Sequence, residues 1–583
     1  MKKLAMFSIA AVCSLASAAA AGAVCATAQT RSAGKVTLDC SDGEGWNFTL
    51  AAEAQADGTE ELVLAVRSGK VARVPQFRLR FEVPLGDIHH FWDPVDERFP
   101  CCWTERDSSF ATTLPLREYF DSCETNVLAI AVSDALHRIT MSACNEKANG
   151  NRHTFVIDFT FFREAELSAD SYTTRLRIDP RRIFWSEAVR EAANWIVKAG
   201  GYKPAPPPPG AEDAVYSSWY VFRQTVTQHE LEQELVKARE LGMKTVILDD
   251  GWQNDRGAWT VDTVKFPDLK GHVRRMQQLG YRYLVWFAVP FVHKDSVLVE
   301  RFRGKYLQQE PHRLWGLYNL DPRYPEVRKH IVDTLAGLIE TYGFDGFKLD
   351  FIDEFRVAEP DLAAQNGFAG CDIKGVPEAA ETLLKEIYER VNAVRPQALI
   401  EFRQNYIGPV VRQYGQLLRC NDCPRDFQAN RYRTIALRLT SEGSRVHSDM
   451  LMWLNSDTVA ELKRQVWNVM FSVVQYSASL RDVPPEHLAA IKECIAWLKA
   501  HERTLLDGRL TPHRPEFGYP MIEAEGDDER IVAVYEPDYI ADLGSSAKPV
   551  FVVNATPSGR VCIRRRGRLE TLDVPSGGIV ELK

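Results

Sequence analysis

Short runs that alternate apolar and polar residues dominate the chain from residue 29 to about residue 200. Lys35 to Leu38, Trp46 to Leu50, Glu61 to Val66, Gln76 to Val83, Val127 to Val132, Thr154 to Phe162 and Ser171 to Ile178 all show it, with Gly, Asp and Ser between them. A period of two marks strands with one buried face, so this region predicts an antiparallel β-sandwich. Pro204 and Pro206 to Pro209, followed by Gly210, break the pattern and read as a linker over 204–212. Strand and helix patterns then alternate. Strands are expected at Val215 to Val221, Thr245 to Leu248, Arg282 to Val289, Gly346 to Phe351, Leu399 to Arg403, Leu417 to Asn421, Arg445 to Ser448 and Val469 to Tyr476. Helical periodicity lies between several of them, at Gln228 to Leu241, Leu269 to Leu279, Pro325 to Tyr342 and Pro377 to Val394. Eight such strands over about 290 residues predict a (β/α)8 TIM barrel over 213–507. A doubly wound sheet fits less well, because no Gly-rich phosphate loop follows the first strand. Residues 508–583 return to alternating runs and predict a small C-terminal β-domain.

The 583 residues carry a net charge of −8, which gives no basic surface for nucleic acid. Lys2 and Lys3, an apolar stretch from Leu4 to Ala20, and Ala26-Thr27-Ala28 together read as a signal peptide over 1–28, cleaved near Ala28. The expected location is secreted or periplasmic, with a sandwich over 29–203 following. No later stretch is long and apolar enough to span a bilayer, so no membrane partner is expected. An oxidising compartment would let some cysteines pair; Cys101, Cys102, Cys123, Cys144, Cys420 and Cys423 are the candidates.

In a TIM barrel, side chains at the C-terminal strand ends converge on one site. Here those are Asp249, Asp250, Trp286, Lys348, Asp350, Glu401, Arg403, Asp422, His447 and Asp449. Lys348 and Asp350 are two apart on a strand, so they point the same way. Carboxylates dominate, and no Ser-His pair or phosphate loop competes. Paired carboxylates with further polar groups to hold hydroxyls are what glycoside hydrolysis requires.

Four segments resemble the α-galactosidase clan of glycoside hydrolases, and its bacterial family 36 in particular: KTVILDDGW at 244–252, YLVWFAVP at 283–290, NLDPRYPEVR at 319–328 and FKLD at 347–350. The resemblance implies a retaining enzyme that releases terminal α-linked galactose from an oligosaccharide or glycan, with no metal or organic cofactor. It implies Asp350 as nucleophile, Asp422 as acid/base, and Lys348 as a donor to sugar hydroxyls. Asp249 and Asp250 would accept from O4 and O6, and Trp286 would pack on the ring, with Trp252 also at the site. Trp103, in a Phe-Pro-Cys-Cys-Trp-Thr stretch, would close over the sugar. Arg403 stands where the family has a small residue near O2, and so would contact that hydroxyl or change the sugar accepted. Burial and the nearby charge of Asp350 are expected to raise the Asp422 pKa. Asp426 and Asp449 are rivals for the acid/base role. Other readings are an α-N-acetylgalactosaminidase or galactosyl transglycosylase on the same fold, an aldolase using Lys348, and a non-catalytic carbohydrate-binding homologue. Oligomeric state is not legible in the sequence.

Overall fold

A computed structural model describes residues 24–84, 86–95, 103–145, 154–163 and 167–582. The chain divides into two compact units, one ending at Tyr202 and one starting at Lys203.

The first unit is a sandwich of two six-stranded sheets. All its strand pairs are antiparallel, as in Phe77–Pro84 against Thr154–Phe161. Alternate residues of Phe77–Pro84 are buried, and Leu79 and Phe81 join Leu50, Leu64 and Leu176 of the other sheet in one core. A one-residue register slip would turn that apolar face to water. Emptying one such position, as in Leu→Ala, costs about 2–5 kcal/mol. Beyond the expected strands, the helix Trp185–Gly200 buries Trp185, Val189 and Ile196 along one stripe and ends at Gly201 in the left-handed region. The first strand, Val24–Gln29, pairs with Lys35–Cys40 and buries Ala26 and Ala28. Cleavage near Ala28 would sever it. Residues 1–23 lie outside the described residues. So do Cys101 and Cys102, whereas Cys123, Cys420 and Cys423 are free thiols rather than members of the expected disulfides.

The second unit is built on an eight-stranded, all-parallel sheet. We number its strands β1 (Val215–Ser217), β2 (Thr245–Leu248), β3 (Arg282–Ala288), β4 (Gly346–Asp350), β5 (Leu399–Arg403), β6 (Leu417–Arg419), β7 (Arg445–His447) and β8 (Gln475–Tyr476). β8 pairs with β1, and parallel bridges from His447 to Val473 and from Leu451 to Tyr476 close the barrel. Two strands are shorter than the apolar runs suggested. The chain leaves β1 at Ser218 for a short helix, Trp219–Phe222, and there the Ser218 hydroxyl accepts from the Asp249 backbone N–H at 2.9 Å. The run to Tyr476 follows a helix ending at Asn468, so only its last two residues are β8. Apolar residues Val215, Ile247, Leu284, Leu399 and Leu417 fill the lower interior. A polar layer lies above them.

The Pro-rich stretch is packed rather than free. Ala205 donates its N–H to the Arg412 carbonyl at 2.8 Å, and Ala211 joins the lower barrel core. Gly346, which opens β4, meets β5 closely: a Cβ there would stand 1.8 Å from the Leu399 carbonyl oxygen. The unit ends in a five-stranded and a three-stranded sheet, cored by Val532, Val552 and Ile563.

Candidate active site

The strand register brings the predicted side chains together. Ala288, Asp350 and Arg403 are adjacent across β3, β4 and β5, and Trp286, Lys348 and Glu401 lie one layer below. Asp350 is 5% exposed. Its Oδ2 accepts from the Trp286 indole N–H at 3.0 Å and its Oδ1 from the Phe351 backbone N–H at 2.8 Å. Phe351 takes a left-handed conformation, φ 65°, to turn the chain out of β4. That conformation costs a non-glycine residue about 1–2 kcal/mol. Packing secures it, with the Phe351 ring 4.6 Å from that of Phe291 and the Arg403 guanidinium 5.7 Å from the Phe351 ring centre.

Lys348 and Asp249 form a buried ion pair at 2.6 Å. Burial outweighs Lys348 and pushes the Asp249 carboxyl above its ordinary pKa. The other member of the tandem, Asp250, already accepts from Gln224 at 2.7 Å, Gln253 at 2.6 Å and Arg256 at 2.5 Å. Trp252 is fully enclosed and stacks on Trp259, and its indole N–H donates to the Trp286 carbonyl at 3.0 Å. It is therefore a buried support for the end of β3, not the sugar-facing ring expected. Trp286 is 4% exposed and uses its N–H to orient Asp350. Trp103 opens the strand Trp103–Ser108 of the first unit, and most of the loop before it lies outside the described residues.

Arg403 joins the two carboxyl groups. Its Nη1 is 3.5 Å from Asp350 and its Nη2 is 3.0 Å from Asp422. Arg419 binds the other oxygen of Asp422 at 2.5 Å and also pairs with Asp449. The expectation of a raised Asp422 pKa is overturned. Burial pushes it up, but Arg419 and Arg403 outweigh burial and hold the carboxyl far below the usual range. The two rivals for its role are otherwise occupied. Asp426 caps the helix Phe427–Thr440, accepting from the Ala429 N–H at 2.9 Å. Asp449 is fully buried and accepts from Tyr220 and from the Cys423 N–H. Glu401 pairs with His447 at 2.8 Å and with Gln475 at 2.6 Å, not with Arg403 or Lys348. His447 also bonds the Ala211 carbonyl, a supporting role in the polar layer.

Sequence reasoning passed over Arg256, Arg419 and Asp353. Arg419 had a readable signal: on β6 it follows Leu417 by two, so it shares that residue's inward direction. Asp353, in the single 3-10 turn Ile352–Glu354 after β4, carries a buried Oδ1 with no hydrogen-bond partner. Burial, then the charges of Asp350 and Glu354, push its carboxyl up to about 7, against the pull of Arg403.

Residues 204–465 match the family model of the glycosyl hydrolases family 31 TIM-barrel domain. An α-galactosidase from Pediococcus pentosaceus is 29% identical over 162 residues, covering 25% of this chain and 22% of that protein. An A type blood α-D-galactosamine galactosaminidase from Flavonifractor plautii is 26% identical over 183 residues, covering 28% of this chain and 17% of that protein. The matched stretch thus spans about a fifth of the length of these relatives. Among solved structures, an α-galactosidase from Lactobacillus brevis shares the fold with a TM-score of 0.63 at 14% identity, covering 90% of this chain and 76% of that one. A GH36 α-galactosidase from Geobacillus stearothermophilus, in complex with raffinose, does so with a TM-score of 0.63 at 13% identity, covering 85% and 73%. With its sandwich, parallel barrel and C-terminal sheets, and with residues 204–465 matched in sequence to a glycosyl hydrolase TIM-barrel domain, this chain is similar to the α-galactosidase clan of glycoside hydrolases.

Proposed function

We propose that the chain is a retaining glycosidase that releases terminal α-linked galactose from oligosaccharides or glycans by double displacement. The observation that carries this is Asp350, held on β4 by two N–H donors, with Asp422 beyond β6 reached by the same guanidinium. One guanidinium in contact with both carboxyls sets them about one position at the barrel mouth, as a nucleophile and an acid/base pair requires. Asp350 attacks the anomeric carbon, and Asp422 in its protonated form donates to the leaving oxygen. Water, deprotonated by Asp422, then releases the sugar. Lys348 and Asp249 supply a donor and an acceptor for ring hydroxyls. A site built around paired charges discriminates against an epimer that leaves them without partners. The relatives that act on galactosides, and the raffinose complex of a fold neighbour, support an oligosaccharide substrate.

The test is hydrolysis of a panel of α-galactosides and α-N-acetylgalactosaminides followed by proton NMR. Retention requires the α-anomer of galactose to appear first. Release of the β-anomer first, or turnover of the N-acetyl sugar alone, overturns the assignment.

We also read the N-terminus as a secretory leader. Ala21-Gly22-Ala23 offers a small-x-small site whose use would keep the strand Val24–Gln29 whole. N-terminal sequencing of the exported protein should begin at Val24. A start at Gln29 would show that the sandwich forms without that strand.

A further inference from the structure

The free site poses a proton problem. A general acid must reach the leaving oxygen protonated, yet each oxygen of Asp422 faces a guanidinium, Arg419 at 2.5 Å and Arg403 at 3.0 Å. Arg419 is fully buried and is also tied to Asp449, so it is not free to move away. Arg403 is different. It stands at the end of β5, with its Nη1 only at the limit of contact with Asp350, at 3.5 Å. Its charge also reaches a third carboxyl, Asp353, whose Oδ1 is buried with no partner. The ionisable groups facing Asp353 are Asp350, Glu354 and Arg403. A carboxylate oxygen buried without a partner is costly, whereas the protonated acid is tolerated there, and in the half-buried Asp353 it is the Oδ1 that is enclosed.

We propose that Asp353 is a positioning residue that arms Asp422 through Arg403: it carries a proton in the free site and gives it up as Arg403 changes partners. In the exchange one proton leaves the Asp353 carboxyl and one is gained by the Asp422 carboxylate. Arg403 releases Asp422 and pairs with the new Asp353 anion. Net charge is unchanged, and no other reactant is needed. Asp422 then holds the proton that the leaving alkoxide takes. Two features of the site thereby gain one explanation: an Asp422 carboxyl with a guanidinium on each oxygen, and an Asp353 oxygen buried without a partner one turn beyond the nucleophile.

This rests on the α-galactosidase reading above, and the experiment separates the two. Wild type and Asp353→Asn are compared on α-galactosyl fluoride, whose leaving group needs no proton, and on an α-1,6-linked galactosyl disaccharide, whose leaving group does. Asp353→Asn should lower kcat on the disaccharide by ~10²-fold or more, the scale of acid catalysis, and lower it much less on the fluoride. In wild type, kcat on the disaccharide should fall on the alkaline side of neutrality, and the fluoride should lack that limb. Asp353→Glu should restore part of the disaccharide activity. Equal losses on both substrates, or no loss on either, overturn the proposal. If Asp353→Asn fails to fold by circular dichroism, the wild-type comparison decides alone: the same alkaline limb on both substrates also overturns it. Wild type inert toward both substrates would instead refute the α-galactosidase reading.

Discussion

Asp350→Ala will abolish hydrolysis of an aryl α-galactoside, with a loss on the order of 10⁴-fold or more, while leaving the fold intact. The magnitude follows from the covalent route. Without the carboxylate no glycosyl-enzyme forms, and the remaining groups can only bind and polarise the sugar. The fold should survive because the packing that holds the partners of Asp350 in place does not depend on its carboxyl. The Trp286 ring stays packed at the edge of Trp259, with ring centres 5.9 Å apart, and Arg403 keeps its contact with Asp422. Azide, small and anionic, should enter the emptied space and restore part of the turnover. Steady-state kinetics with circular dichroism provide the check. Near wild-type turnover by a correctly folded variant would remove Asp350 from the nucleophile role.

Arg419→Met should be the most destabilising single change near the site, costing about 3–5 kcal/mol at neutral pH. Arg419 is fully buried between Asp422 and Asp449, and Asp449 is fully buried too. Deleting the cation strands a buried anion, which keeps only the hydroxyl and amide donors around it. The pH dependence has a definite sign. The Asp422 carboxyl is depressed in the folded state, so its contribution is present above the unfolded carboxylate pKa of about 4 and is lost as pH falls below it. Acid should therefore weaken wild type more steeply than Arg419→Met. Urea titrations at neutral and acid pH measure both effects. A cost below about 1 kcal/mol, as for an exposed ion pair, would show that the cluster is solvated in solution.

The architecture was legible because it rests on periodicity. Two-residue alternation in 77–83 and 171–178, and strand–helix alternation after 213, follow from which faces are buried. The strand ends then named most of the site, since Lys348 with Asp350 and Glu401 with Arg403 are pairs two residues apart. What was not legible were pairings across strands. The partner of Lys348 lies 99 residues away at Asp249, and that of Glu401 lies 46 residues away at His447. Nothing local in either segment encodes those matches. The Asp422 error has two sources: Arg403 reaches it from another strand, β5, and Arg419, only three residues before it, was not read as an inward-facing cation. Asp353 escaped notice because it sits one turn beyond its strand, where the inward–outward rule no longer applies.

The glycine at the foot of β4 carries a consequence for the opposite end of that strand. Asp350 is four residues above Gly346, about 13 Å at the usual strand rise. There it faces Arg403 across the gap that Gly346 shares with Leu399 at the bottom. A methyl group added at the base would wedge the two strands apart and tilt β4 about its lower end. The wedge would widen toward the nucleophile, and the 3.5 Å contact between Asp350 and Arg403 would open first. The spacing of the chemical groups at the barrel mouth is thus gauged at its floor, by an atom the sequence leaves out.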